Sequence, residues 1–347
     1  MKLWLRRAGF ALALAFLVLT FVNASWLANS PQGYVKLVAH RGLMQLPRPD
    51  ATGDCRAQAI EPPVHDFIEN TLPALYQSQR LGAQMIEIDL RLSADGQIVL
   101  FHDADLGCQT DGKGAVAAAS LDQLKVLDAG YGYSADGGKT FPLRGTGKAK
   151  IATLEEALAA TPETALLYNV QTDDPAIGDR LVAALKSAGR DPVARRDGFS
   201  APAPVLTRIR AAFPAAWSYS DEELGACTSA YRLWGWQGVT PAACQRGTLI
   251  VPVNRQWLYA GWPNRTQARM AQVGARIILI GPSGAQKPHG LDLPEQVGDI
   301  PASFTGYVWV DDMWSVGPAL RPAYNKRNPR EQAELAKALD ARRAAQD

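Results

Sequence analysis

The segment Met85-Ile86-Glu87-Ile88-Asp89-Leu90, continued through Ser93-Ala94-Asp95-Gly96 to Ile98-Val99-Leu100-Phe101-His102-Asp103, decides how this chain is read. Its apolar residues alternate with two acids, so a strand over 85–90 sends both the Glu87 and Asp89 carboxylates to one face. Asp95-Gly96 is a hairpin-type turn signal, and the β-rich run after it, 98–102, ends in His102-Asp103. Two acids on one inward face repel unless a cation lies between them. Oxygen ligands of this kind favour Mg²⁺ or Ca²⁺ over softer metals.

Working outward, β-rich runs recur at 35–39, 165–170, 198–201, 215–218, 249–253, 277–280 and 307–310. Helical patterns lie between them at 72–81, 153–160, 177–188, 204–212 and 266–273, with Thr153 and Glu156 spaced as a capping box. This rhythm is that of parallel strands joined by crossover helices. No repeat or linker divides the body. The predicted architecture is therefore α/β, a single (β/α)8 TIM barrel over residues 30–327 with a Gly-rich loop insertion at 111–147. Nine runs compete for eight barrel places. Residues 328–347 read as an amphipathic, charge-mixed C-terminal helix or tail.

The chain opens with Met-Lys-Leu-Trp-Leu-Arg-Arg and an apolar run from Ala8 to Val22. Residues 1–29 are thus set apart as a signal peptide or membrane anchor. Both readings place the rest outside the cytoplasm, exported to the periplasm or anchored to the membrane facing outward. Ala24-Ser25 offers small residues to a peptidase, but Trp26 and Leu27 look like an interfacial anchor, and the uncleaved form is preferred. The 36 Lys and Arg nearly balance the 34 Asp and Glu, which excludes a nucleic-acid-binding surface. Four cysteines in an exported chain point to two disulfides, with unpaired buried thiols and metal ligation as weaker readings. The expected pairs are Cys55 with Cys108 and Cys227 with Cys244.

Of four histidines, two end strand-like runs, His40 before Arg41-Gly42 and His102 before Asp103. A lone histidine at a strand end is usually a core residue; two of them bracketing a carboxylate pair form a functional constellation. The chemistry suits phosphodiester cleavage. A metal on Glu87 and Asp89 neutralises nonbridging oxygens, Arg41 supplies a planar fork, and the histidines exchange acid and base roles. His65 reads as a loop histidine and His289 as surface. The aromatic stretch 231–236, with Trp257 and Trp262, reads as core filling rather than an aromatic wall or membrane interface.

In order and spacing, Ala39-His40-Arg41-Gly42, Glu69-Asn70-Thr71-Leu72, Glu87-Ile88-Asp89-Leu90, Asp95-Gly96, Phe101-His102-Asp103 and Thr153-Leu154-Glu155-Glu156 resemble the glycerophosphodiester phosphodiesterase family, in particular a bacterial, N-terminally anchored subset. The resemblance is strong from Val35 to about Leu158. It implies a barrel of the phospholipase C-like phosphodiesterase type. It also implies metal-dependent hydrolysis of glycerophosphodiesters to glycerol 3-phosphate and an alcohol, with the substrate's own glycerol hydroxyl as a candidate attacking group. The implied catalytic pair is His40 and His102. The implied substrate contacts are Arg41, Glu69 and Gln171, and the implied ligands of a divalent cation, Ca²⁺ or Mg²⁺, are Glu87, Asp89 and Asn169. Where the family carries Glu-Ile-Lys, this chain has Asn169-Val170-Gln171, so two charges are missing and weaker metal binding or a shifted substrate is expected. The usual Thr-Asp of the last strand is Val310-Asp311-Asp312. The expected partners are a glycerophosphodiester or lysophospholipid substrate and, through the N-terminal segment, a membrane. Competing functions are lysophospholipase D or sphingomyelinase D-like cleavage, and a non-catalytic binder of phosphodiester head groups. Retention of both histidines argues against the binder.

Overall fold

The structure, a computed structural model, describes residues 2–49, 51, 55–284 and 289–346. Its strands are β1 (Lys36–Ala39), β2 (Met85–Leu92), β3 (Ile98–Leu100), β4 (Ala165–Val170), β5 (Gly198–Ser200), β6 (Trp217–Tyr219), β7 (Thr248–Pro252), β8 (Arg276–Ile280) and β9 (Tyr307–Val310). Eight of them run parallel in the order β6-β5-β4-β2-β1-β9-β8-β7, a nearly closed (β/α)8 barrel. The ninth run settles the competition for places. β3 pairs antiparallel with the end of β2, Leu90 opposite Leu100 and Leu92 opposite Ile98, so the 98–102 segment is a hairpin arm outside the barrel. The five-residue connection through Asp95-Gly96 is too short for a crossover and permits only this pairing.

Alternation sorts the barrel into two surfaces. Ile86, Ile88 and Leu90 of β2, with Leu166, Tyr168 and Val170 of β4 and Phe199 of β5, pack outward under the helices Leu72–Arg80, Leu154–Ala160, Pro175–Ser187 and Ala203–Ala212. Thr153 caps the second of these in the expected box, accepting from Glu156 N at 3.2 Å while Glu156 Oε2 accepts from Thr153 N at 2.8 Å. The inward residues Val38, Met85, Leu167, Trp217, Ile278 and Tyr307 plug the barrel toward the N-terminal ends of the strands. Trp217 stacks on Tyr307 with centroids 4.8 Å apart. Gly198 makes room for it, since a Cβ there would lie 2.7 Å from the indole ring.

β6 and β7 form no ladder. Their seam is bridged by a side-chain hydrogen bond from Trp217 Nε1 to Thr248 Oγ1, 2.9 Å. Both expected disulfides are present, Cys55–Cys108 and Cys227–Cys244. The helix Asp221–Trp234, absent from the sequence reading, carries Cys227 and starts at a Ser220–Glu223 capping box. The aromatic stretch only partly fills the core. Tyr231 is buried, but Trp234 and Trp236, where the helix Asp221–Trp234 ends, are exposed, and so is Trp257 in the turn after β7.

The helix Pro329–Gln346 lies against the barrel. It buries Leu335 and Leu339, and Arg342 pairs with Glu61 at 2.9 Å and Asp312 at 2.8 Å. The helix Lys2–Asn23 is apolar, with none of Leu3–Asn23 buried in the body.

Candidate active site

The polar inward residues gather at the C-terminal ends of the strands. β2 supplies Glu87 and Asp89, both fully buried, and β4 supplies Asn169 in register with Asp89. Asn169 Nδ2 donates to Glu87 Oε1 at 2.8 Å and to Asp89 Oδ1 at 3.0 Å, and Gln171 Nε2 donates to Asp89 Oδ1 at 2.9 Å.

The turn after β1 is built for this pair. Arg41 and Gly42 both have positive φ, 55° and 77°, and a Cβ on Gly42 would sit 3.0 Å from the Ala74 carbonyl carbon, so only glycine is accommodated there. This turn aims Arg41 N–H at Glu87 Oε2, 2.9 Å away. Asn70, also left-handed at φ 58°, donates its N–H to the Arg41 carbonyl at 3.0 Å, and its Nδ2 donates to Asp89 Oδ2 at 2.9 Å. Non-glycine residues held in this region cost energy and concentrate at functional sites. The Arg41 guanidinium sits behind the carboxylates, not in the open cavity. Its Nη1 donates to Glu69 Oε1 at 2.7 Å and its Nε is 3.1 Å from Asp89 Oδ2. Glu69 also accepts from Gln109 Nε2 at 3.0 Å and is buried.

Each catalytic histidine candidate is held at Nδ1 by a carboxylate, His40 by Asp311 and His102 by Asp103, both at 2.7 Å. Opposite an ionised carboxylate Nδ1 carries the proton, which leaves Nε2 as the atom able to accept one. Asp311 Oδ2 accepts from Gly290 N–H at 2.9 Å. His102 is brought to the site by the hairpin arm, and Arg91 clamps its carbonyl from Nη2 and Nε at 2.6 and 2.8 Å.

Burial raises the Glu87 carboxyl well above the usual carboxylate range, and the neighbouring Asp89 adds to this. Burial likewise opposes the Asp89 anion, but Arg41, then His102, Asn70 and His40, outweigh it and hold that carboxyl below the usual range. Asp311 behaves as Asp89 does: burial is outweighed by His40 and the Gly290 N–H, and its carboxyl is low. A buried carboxyl displaced upward beside a second one marks a site short of positive charge. For a hard divalent cation the donors are two carboxylates and the Asn169 amide, all oxygen-bearing. Among the described residues no group of three or more His, Cys, Asp or Glu is placed to hold a metal ion. The carboxylate pair offers a cation two anionic ligands at most, and the Asn169 and Gln171 N–H groups that donate to it occupy part of that charge deficit.

A cavity of about 1130 Å³ opens over this end, with His40, Asn169, Gln171, Tyr219, Trp309 and Asp311 on its wall. Arg48 and Arg56 stand on its lining, as do Asp173, Asp221 and Glu222. His289 also reaches this cavity, although its sequence context suggested surface. His65 does not; it packs tilted against the Phe67 and Trp314 rings and accepts from Phe67 N–H. The residue that sequence reasoning missed is Asp311. It was visible only as a departure at the last strand, 271 positions from His40. Asp103, next in sequence to His102, is the other carboxylate whose role only the structure shows.

Residues 53–188 match the Glycerophosphoryl diester phosphodiesterase family. A stretch of 123 residues is 32% identical to a glycerophosphodiester phosphodiesterase of Caldanaerobacter subterraneus subsp. tengcongensis, covering 34% of this chain and 47% of that protein. The chain spans less than half the length of the curated relatives it matches. Among solved structures, a glycerophosphodiester phosphodiesterase from Agrobacterium tumefaciens superposes with a TM-score of 0.55 at 18% identity, over 82% of this chain and 99% of that one. An Oleispira antarctica phosphodiesterase in complex with the product sn-glycerol-3-phosphate superposes with a TM-score of 0.54 at 20% identity, over 82% and 96%. These likenesses establish the barrel.

Proposed function

We propose that this chain, whose residues 53–188 match the Glycerophosphoryl diester phosphodiesterase family, hydrolyses glycerophosphodiesters to glycerol 3-phosphate and an alcohol. The observation that carries the reading is the pair of imidazoles, each fixed at Nδ1 by its own carboxylate at 2.7 Å. A binder of head groups needs no such pair. One histidine takes the proton of the attacking hydroxyl and the other gives a proton to the alcohol oxygen that leaves. Asp311 and Asp103 hold the rings in one tautomer and stabilise the imidazolium in turn.

Glu87, Asp89 and Asn169 are the residues that would hold a divalent cation, Ca²⁺ or Mg²⁺, and when bound it would neutralise the nonbridging phosphoryl oxygens. Arg41 acts here on the carboxylates, fixing Asp89 and joining Glu69 to the site, while Gln171 reaches the cavity wall as a neutral donor to substrate. We read residues 30–327 as one catalytic barrel, closed by the helix in 328–347, and residues 1–29 as an uncleaved anchor that holds it outside the cytoplasm.

The test is turnover of the full chain on glycerophosphocholine and on lysophosphatidylcholine, with and without Ca²⁺ or Mg²⁺, beside Glu87→Ala and His102→Ala. Release of glycerol 3-phosphate that needs Glu87 and His102 supports the reading. Cleavage of the acylated substrate alone transfers it to lysophospholipase D-like chemistry. Retained ligand affinity without turnover in the wild type overturns it in favour of a binder.

A further inference from the structure

Leu233, Trp234, Trp236 and Val239 are 67%, 49%, 47% and 51% exposed, on the last turn of the helix Asp221–Trp234 and the turn after it. Single exposed apolar residues need no explanation, but four within seven positions, two of them Trp, form a patch. From Arg232 to Thr248 the chain has no acid, and Arg232 and Arg246 are exposed. The patch adjoins the end of the apolar N-terminal helix. Asn23 Nδ2 donates to the Trp236 carbonyl at 2.9 Å, and Arg269 Nη2 donates to the Val22 carbonyl at 3.1 Å and to Asn23 Oδ1 at 3.0 Å. Asn264 N–H donates to Ser25 Oγ at 2.9 Å, and Ala24 between them is buried. Trp26 and Leu27 then emerge exposed beside the same junction.

Leu3–Asn23 is 21 residues long with mean hydropathy 1.8, enough to cross a hydrocarbon core of about 30 Å at about 1.5 Å per residue. Its exit is therefore fixed to the body by hydrogen bonds, one donor being the buried Arg269, and whatever lies beside Asn23 lies at the level of the bilayer interface. Trp at that depth is the preferred residue, and exposed Arg without acids suits an anionic surface.

We propose that Leu233, Trp234, Trp236 and Val239, with Trp26 and Leu27, form a second membrane contact that seats the barrel against the bilayer its N-terminal helix crosses. The occupant is lipid because the patch is continuous with the spanning helix. The seat also sets direction. Asn264 and Gln267 bond Ser303 and Thr305, which lie just before β9, so the anchor joins the barrel toward the N-terminal ends of the strands, opposite the catalytic ends.

The four native cysteines are paired, so a Val239→Cys substitution gives the full chain a single thiol for a nitroxide label. Val126, 67% exposed in the loop insertion, serves as the control through Val126→Cys. In liposomes containing phosphatidylglycerol, the Val239 label should collide with oxygen more, and with a water-soluble nickel chelate at least about threefold less, than the Val126 label. A Trp234→Ser/Trp236→Ser background should return the Val239 label toward the control. Equal nickel accessibility of the two labels overturns the proposal. So does dipolar broadening at position 239 that disappears on dilution with unlabelled protein, which would make a second copy the occupant. A mature chain whose mass lacks the N-terminal helix overturns it as well.

Discussion

Asp311→Asn keeps the size of the side chain that orients His40 and removes its charge. In the native site Asp311 Oδ1 accepts from His40 Nδ1 at 2.7 Å and Oδ2 accepts from Gly290 N–H at 2.9 Å. An amide has one acceptor for these two donors. If it serves Gly290, its NH2 faces His40 and drives the ring proton to Nε2, the atom that must exchange protons with substrate. If it serves His40, the Gly290 N–H loses its partner at a cost of about 1–3 kcal/mol. In both cases the imidazolium loses its counter-charge. Unit charges about 4 Å apart interact by about 4 kcal/mol at an effective dielectric near 20. His40 is partly exposed, so about 2–4 kcal/mol is expected, roughly 30- to 1,000-fold in kcat. The assay is steady-state release of glycerol 3-phosphate from glycerophosphocholine, with thermal unfolding of the same preparation. KM should move much less than kcat. A variant with wild-type Tm whose kcat stays within about threefold of wild type refutes the orienting role.

Asn169→Glu restores a third carboxylate, so Ca²⁺ or Mg²⁺ should stabilise this variant more than the wild type, by about 1.4 kcal/mol for each tenfold gain in affinity. Equal cation-induced Tm shifts would remove Asn169 from the ligand set. Replacing Cys55 and Cys108 by Ala opens a loop of separation 53, for which chain entropy predicts a loss of about 4 kcal/mol, read by denaturant unfolding; a loss below about 1 kcal/mol contradicts it. The His65 pKa is lowered by burial from 6.5 to about 4. The folded form thus binds this proton less well than the unfolded chain. Its neutral ring costs no stability above pH 6.5, and stability falls as pH drops from 6.5 through 4, by ~3 kcal/mol at most and less because the ring is only half-buried. His65→Phe should flatten that part of the stability profile, and an unchanged slope would discard the assignment.

The barrel was legible wherever local rules decide. The alternation of Glu87 and Asp89, the turn at Asp95-Gly96 and the capping box at Thr153 are short-range signals, and each formed the element expected of it. The placing of β3 outside the barrel was implicit in the length of its turn. The helix Asp221–Trp234 had a readable Ser220–Glu223 box, obscured by the aromatic residues at its far end. What stayed hidden depends on distant pairing. Nothing near His40 announces Asp311, and nothing near Asp312 announces Arg342, because the (β/α)8 closure that brings them together is a property of the whole chain.

The missing ladder between β6 and β7 gives the second disulfide a meaning beyond loop entropy. Cys227 lies on the helix that follows β6 and Cys244 just ahead of β7, so this bond clasps the one seam that the backbone leaves unzipped. Elsewhere around the ring, parting two strands means breaking main-chain hydrogen bonds. Here a reductant removes the covalent clasp and leaves the Trp217–Thr248 bond, the Ile250 N–H bond to Thr228 Oγ1 on the helix after β6, and side-chain packing to resist opening. Closure of the barrel is thereby coupled to the oxidising potential around it, and in a reducing compartment amide exchange should begin at β6 and β7.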